Sequence, residues 1–213
     1  MITVENICFS YGKKSILNNI SFTLEPGTIN CLVGSNGCGK STLLSIITGI
    51  QKPATGSVHF ANLAKCSYVP QDNPLLSDAT AYDNLFLWFK GTKADFKEAL
   101  NSPDIEMLGI KDFLKKPVKK LSGGMKKRLS IAIAIINKPS ILVLDEPSAA
   151  LDLPCKLDIR NFLSRFAANG GTVLLTTHDE NEINLCQRLF TIKNGQLAEL
   201  DPSLRGQALT SQF

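Results

Sequence analysis

Three short runs along the chain are apolar at nearly every position: "TINCLVG" (28–34), "SILVLDEP" (140–147) and "GTVLLTTHD" (171–179). Runs without polar alternation predict strands buried on both faces. Between them the spacing changes. "KSTLLSIITG" places Leu43, Leu44, Ile46 and Ile47 at helical intervals, with Gly49 positioned as a C-cap. Such strands separated by helices predict an α/β fold, a largely parallel sheet covered on both sides. The first sixty residues read differently. "ITVENICFSYG", "SFTLEPG" and "GSVHFANLAKCSYVPQ" alternate more and carry turn residues, which predicts a small antiparallel sheet. Strand signals then lapse. "TAYDNLFLWFK" and "KADFKEALNSPDIEMLGI" look helical, predicting a helical subdomain inserted between sheet strands. The expected layout is one domain, with residues 1–73 and 137–213 as core and 74–136 as the helical insert.

Composition narrows the class. The chain has 213 residues, 44% hydrophobic and 20% charged, enough to bury one useful core. A net charge of +4 permits contact with phosphates or acidic headgroups without requiring nucleic acid, and no nucleic-acid partner is expected. "MITVENICFSYGKK" lacks the basic start and apolar stretch of a signal peptide. "IAIAII" (131–136) falls far short of the ~20 residues that span a bilayer. A soluble protein is expected, reaching a membrane only through a partner. The six cysteines are scattered without a CxxC pair and there are two histidines, which argues against zinc and against a disulfide framework. Reduced thiols are expected, several acting as small buried apolar groups. Cys38 is the exception, at a helix N-terminus where thiolate is favoured.

Candidate chemistry begins at "GSNGCGKST": Gly34, Ser35, Asn36, Gly37, Cys38, Gly39, Lys40, Ser41 and Thr42. It matches G-x-x-x-x-G-K-[ST] and lies between a predicted strand and a predicted helix. Its glycines let backbone N–H groups converge on phosphate oxygens, and the helix dipole adds to them. Lys40 would reach the β- and γ-phosphates of ATP, and Ser41 would hold Mg²⁺. A glycine-rich turn without a ligand fits that strand–helix context poorly. In "ILVLDE" the apolar residues bury the strand, so Asp145 and Glu146 emerge at its C-terminal end, where ligands sit in open α/β sheets. Asp145 would orient Mg²⁺ through water and Glu146 would polarise an attacking water. Two carboxylates merely ending a strand are the alternative, weakened by the phosphate loop. "KKLSGGMKKR" (119–128) offers a second helix start with small residues, Ser122, Gly123 and Gly124. Alone it would read as a flexible turn.

With these residues in place, the chain resembles the nucleotide-binding domain of ATP-binding cassette (ABC) ATPases over nearly its whole length. Tyr11 in "FSYGKK" matches the aromatic residue that stacks on adenine, and residues 34–42 match Walker A. Gln71 in "YVPQ" matches the Q-loop glutamine, and "LSGG" (121–124) the signature. Residues 141–146 match Walker B with its catalytic glutamate, "SAALD" (148–152) the D-loop, and His178 in "TTHD" the switch histidine. All occur in the family's order. The resemblance implies a P-loop NTPase core with a mostly parallel sheet, a small N-terminal antiparallel β subdomain and an inserted helical signature subdomain. It implies that two such domains pack head to tail, each ATP lying between one chain's Walker loop and the other's signature. Ser122, Gly123 and Gly124 would then serve the partner's ATP. His178 would contact the γ-phosphate, although a lone histidine after a strand is more often structural. Gln71 would touch Mg²⁺ or water and sense the helical segment. Tyr11 as a plain core aromatic is the alternative to adenine stacking. Three departures stand out: Met125 where glutamine is commoner, a short Gly56–Gln71 stretch implying a trimmed hairpin, and a chain that ends soon after "TIKNGQLAEL".

The implied function is ATP hydrolysis by a dimer, a homodimer or a heterodimer with a degenerate partner, that drives an integral membrane permease from the cytoplasmic face. The compact form and "LSGGMKKRL" lean toward export. The alternative class is a soluble ABC ATPase of DNA repair, chromosome maintenance or translation; the coiled coil and the second cassette of such proteins are not seen in this sequence. The permease is expected near residues 72–90, where Leu75, Leu76, Leu85, Phe86, Trp88 and Phe89 concentrate, unless they form the insert's own core. The basic run from Lys111 to Arg128 reads as a solvated face, with nucleotide steering or lipid contact as the sharper alternative.

Overall fold

A computed structural model describes residues 1–61 and 64–213. Strands β1 (Ile2–Tyr11), β2 (Lys14–Leu24) and β3 (Ile29–Val33) precede helix α1 (Lys40–Ile47). Then come β4 (Thr55–Phe60), β5 (Cys66–Val69), α2 (Ala81–Trp88), α3 (Lys93–Ala99), α4 (Pro103–Met107) and α5 (Gly123–Ile135). The last part holds β6 (Ile141–Asp145), α6 (Leu153–Ala168), β7 (Thr172–Thr176), α7 (Glu180–Ile183), β8 (Arg188–Lys193), β9 (Gln196–Leu200) and α8 (Gly206–Thr210).

A three-stranded antiparallel sheet has the order β2-β1-β4, and a six-stranded sheet the order β5-β6-β7-β3-β8-β9. Within the larger sheet the strands from β5 to β8 run parallel, and β9 closes the edge antiparallel to β8. One expectation is corrected. "CSYV" does not join the antiparallel sheet with "GSVHF"; β5 pairs in parallel with β6, Cys66 opposite Ile141. The period-two pattern of the two runs is alike, so only the pairing partner tells them apart. The turn of the hairpin expected between them falls on Asn62 and Leu63, outside the described residues.

The unbroken apolar runs are explained by two cores, one on each face of the large sheet. Ile141, Val143, Leu32 and Leu174 point into a core shared with α1 and the antiparallel sheet. Leu142, Leu144, Cys31, Val33, Val173 and Leu175 point the other way, toward α5, α6 and the helical segment. Residues 74–136 are helical as read, but "KADFKEALNSPDIEM" is two helices, because Ser102–Pro103 ends one and opens the next. Thr80 with Asp83, and Thr92 with Asp95, form capping boxes that set the starts of α2 and α3. Each threonine also holds its aspartate's carboxyl below the usual range through hydrogen bonds. Cys31, Cys155 and Cys186 are buried, as the small-apolar reading expects.

Glu182 is fully enclosed beside this second core, and its Oε2 accepts the Thr177 hydroxyl. Burial raises its carboxyl above the ordinary 4.5, against the downward pull of hydrogen bonds from Thr177 and Ser148. A raised folded-state value means the ionised form is disfavoured on folding. Stability from this group is therefore full below the unfolded value and lost as pH rises through the folded one. The stability of Glu182→Gln relative to the natural chain should rise as pH is raised from below 4.5 to neutrality. Urea unfolding at several pH values reads that difference directly, and a pH-independent difference would refute the assignment.

Candidate functional site

The end of β3 leads into the loop that carries the phosphate-binding signature. Gly39 caps α1 in a left-handed conformation with φ of 115°. A Cβ there would sit 3.0 Å from Ile16 Cγ2 and from Leu17 Cδ2, so this turn needs glycine to lie against β2. Lys40 is buried, and its Nζ donates to the carbonyls of Gly34 (2.7 Å) and Ser35 (3.1 Å). The loop thus wraps its own ammonium group. A cleft of about 840 Å³ opens over it, lined by Tyr11, Asn36, Gly37, Gly39, Lys40, Ser41, Thr42, Gln71, Glu146 and His178, with Ile16. Tyr11 is more than half exposed, meets Phe9 edge-on and donates its hydroxyl to Gln51 Oε1 at 3.2 Å. It lies at the rim of the cleft and not in a core.

The far wall of the cleft is set by strand register. β6 and β7 run parallel with Asp145 opposite Thr176. The Thr176 hydroxyl donates to Asp145 Oδ1, and the Glu146 N–H reaches both Thr176 Oγ1 (3.0 Å) and Thr176 O (3.1 Å). These bonds hold Glu146 at φ of 45°, a left-handed backbone uncommon outside glycine. The twist turns its carboxylate into the cleft. There Gln71 Nε2 donates to Glu146 Oε2 at 3.4 Å, and His178 Nε2 lies 3.6 Å from Glu146 Oε1. Asp145 stays behind, buried. Beside it the Tyr68 hydroxyl is pushed up to about 12, first by burial and then by the negative charge of Asp145.

Not every predicted residue joins this cluster. Gly34, Ser35 and Cys38 do not line the cleft; Gly34 and Ser35 contribute the carbonyls that hold Lys40, and the Cys38 side chain packs against the α1-side core. Ser122, Gly123 and Gly124 lie outside it too, at the start of α5, where Ser122 Oγ accepts from Met125 N at 3.2 Å. The insert's apolar cluster divides: Leu85 is buried, Leu75, Phe86 and Phe89 pack against the core, and Leu76 and Trp88 are exposed together with Leu87. The solvated reading of the basic run fails at Lys127. It is 2% exposed, and its Nζ donates to the carbonyls of Pro70 (3.1 Å) and Gln71 (2.8 Å). Sequence reasoning missed Lys127 and Thr176. Both stand inside quoted stretches, "KKLSGGMKKR" and "TTHD", but they acquire their partners only through packing and register.

A loop-wrapped lysine at a helix start, with a strand-end carboxylate facing it across a cleft, defines the P-loop nucleotide-binding class; the signature turn on a separate helical insert narrows this to ATP-binding cassettes. The family model for ABC transporters matches residues 17–149, more than half of the chain. The chain belongs to the ABC transporter family. It is 35% identical over 190 residues to the lantibiotic transport ATP-binding protein SrtF of Streptococcus pyogenes, covering 86% of this chain and 82% of that one. It is 35% identical over 216 residues to the Nod factor export ATP-binding protein I of Paraburkholderia xenovorans, covering 95% and 71%. Among solved structures it resembles the dimeric post-hydrolysis state of an ATP-binding cassette bound to ADP and Pi. That likeness has a TM-score of 0.83 at 27% identity and covers 97% of this chain and 100% of that one.

The signature turn also packs tightly within the chain. A Cβ on Gly124 would lie 2.9 Å from Cys155 Sγ, so any larger residue there requires the thiol between α5 and α6 to shift. Gly124→Ala should cost about 1–3 kcal/mol of unfolding free energy by overpacking. Adding Cys155→Ala should recover most of that loss in thermal melts. Equal stability of Gly124→Ala and the natural chain would show that the contact yields freely.

Proposed function

We propose that this chain is the ATP-binding and ATP-hydrolysing subunit of an ABC transporter, closing as a dimer around ATP to drive a separate membrane permease. The observation that carries the reading is the Glu146 carboxylate, one oxygen beside Gln71 and the other beside His178, facing Lys40 across one cleft. The ammonium of Lys40 is held at the loop mouth by two carbonyls that phosphate oxygens can replace as acceptors. The Tyr11 ring at the rim offers a surface for adenine. Glu146 would take a proton from the attacking water, with His178 and Gln71 fixing its orientation.

The donor set also suits Mg²⁺. Ser41 and Gln71 line the cleft as oxygen donors, and Asp145, buried one residue behind Glu146, would act through water. Bound there, the ion would offset charge on the phosphates.

Ser122, Gly123 and Gly124 lie apart from the chain's own cleft, which supports their service to a second copy's ATP. In this reading residues 1–73 and 137–213 form the nucleotide-binding core and 74–136 the insert that carries the signature. Among the described residues no helix is long and apolar enough to cross a membrane. A permease is thus the expected anchor, holding the chain at the cytoplasmic face, and exposed Leu76, Leu87 and Trp88 offer it an apolar surface. The names of the two relatives, one for lantibiotic transport and one for Nod factor export, favour transport with a lean to export over the soluble alternative.

Replacing Glu146 by Gln should leave ATP affinity intact while lowering turnover by about 10²–10⁴-fold, the range expected for loss of a general base. The variant should accumulate as a closed dimer with ATP on size exclusion. Turnover at the natural rate would reject the assignment of Glu146.

A further inference from the structure

The buried Lys127 follows an exposed or half-buried run from Ser122 to Lys126 and precedes half-buried Arg128 and buried Leu129. A lysine taken out of water is costly unless its ammonium finds acceptors. This one finds two consecutive backbone carbonyls, Pro70 O at 3.1 Å and Gln71 O at 2.8 Å, immediately beyond the end of β5 at Val69. Burial pulls its ammonium below the ordinary value, and the nearby charges of Asp145, Asp72, Glu146 and Glu182 offset only part of that pull. Lys127 therefore fastens the start of the segment after β5 to the body of α5.

That attachment has a consequence for the site. The residue whose carbonyl is held, Gln71, is the one whose side chain reaches Glu146 at 3.4 Å. The helix that holds it is capped by Ser122, in the turn read as the cradle for a second copy's phosphate. One α-helix therefore carries the partner-facing turn at its start and, within its second turn, the ammonium that anchors Gln71. A shift of α5 displaces both ends together, because a helix is stiff over so short a length.

We propose that Lys127 is a positioning residue: by gripping the carbonyls of Pro70 and Gln71 it sets the Gln71 side chain against Glu146 and ties that contact to the seating of the signature helix. The proposal rests on the ATPase reading of the cleft. Within it, Lys127 does not line the cleft and acts through Gln71 alone. Engagement of the signature turn in one site then determines how well the same chain's own base is oriented in the other.

The test is steady-state hydrolysis by the full chain with Mg²⁺ and ATP, paired with equilibrium binding of a fluorescent ATP analogue. Lys127→Met keeps the length and removes the donor. It should lower kcat by about ten- to a hundred-fold, the scale of a small misplacement of a catalytic group. Nucleotide affinity should stay within about two-fold, since no binding contact is lost. In a Gln71→Ala background the same change should have no further effect on kcat, because the side chain it positions is gone. A merely structural role predicts additive losses instead. Should Lys127→Met fail to fold, Lys127→Gln replaces it under the same criteria. Natural turnover in the single variant, or additive losses in the double, would overturn the proposal. An inactive natural chain would instead sink the ATPase reading itself.

Discussion

The parallel register of β6 against β7 pairs Asp145 with Thr176, and the rest of the site is arranged around that pairing. One threonine hydroxyl satisfies Asp145 and, together with its own carbonyl, receives the N–H of Glu146. Two carboxylates in sequence would otherwise repel and point to opposite faces of a pleated strand. Here the first ends the strand buried and the second turns through a left-handed backbone into the cleft. The strain of that backbone is held by hydrogen bonds that the Glu146 N–H donates to a strand itself buried on both faces. A rigid sheet interior thus places the Glu146 carboxylate 3.4 Å from Gln71 Nε2 and 3.6 Å from His178 Nε2.

The other half of the design is the contact between the sheet and the helical insert. Leu129, Ile131, Ala132 and Ile135 of α5 pack into the same core as Leu142, Leu144 and Leu175, so the signature helix is anchored by burial along most of its length. Its first turn, by contrast, is exposed or half-buried and begins with two glycines. The helix is thus rooted in the core beyond its first turn, while at its start the Ser122 hydroxyl caps the Met125 N–H. Lys127 lies between these two regimes, which is why a residue type that is normally solvated is buried there.

Much of the architecture could be read from local pattern. The fully apolar runs correspond to β3, β6 and β7 because a strand covered on both faces has no position left for a polar side chain. The phosphate loop could be read because its chemistry is confined to contiguous residues, with glycines at the turns and lysine at the helix start. Other features were beyond that kind of reading. "CSYV" and "GSVHF" carry similar alternation, and nothing local distinguishes a parallel edge strand from an antiparallel one. The apolar residues of 75–89 divide between core and surface by helix phase and by which neighbours cover them.

The sequence by itself determined the elements and the contiguous chemistry: the glycine turns, the helix caps, the strand that ends in two acids. Those depend on backbone preferences and on neighbours one to four residues apart. Only the tertiary structure decided that Thr176 would serve Asp145, that Gln71 and His178 would flank one carboxylate, and that Lys127 would reach the Gln71 carbonyl. These partners are separated by tens of residues, and each pairing follows from sheet register and helix packing, which no local preference encodes.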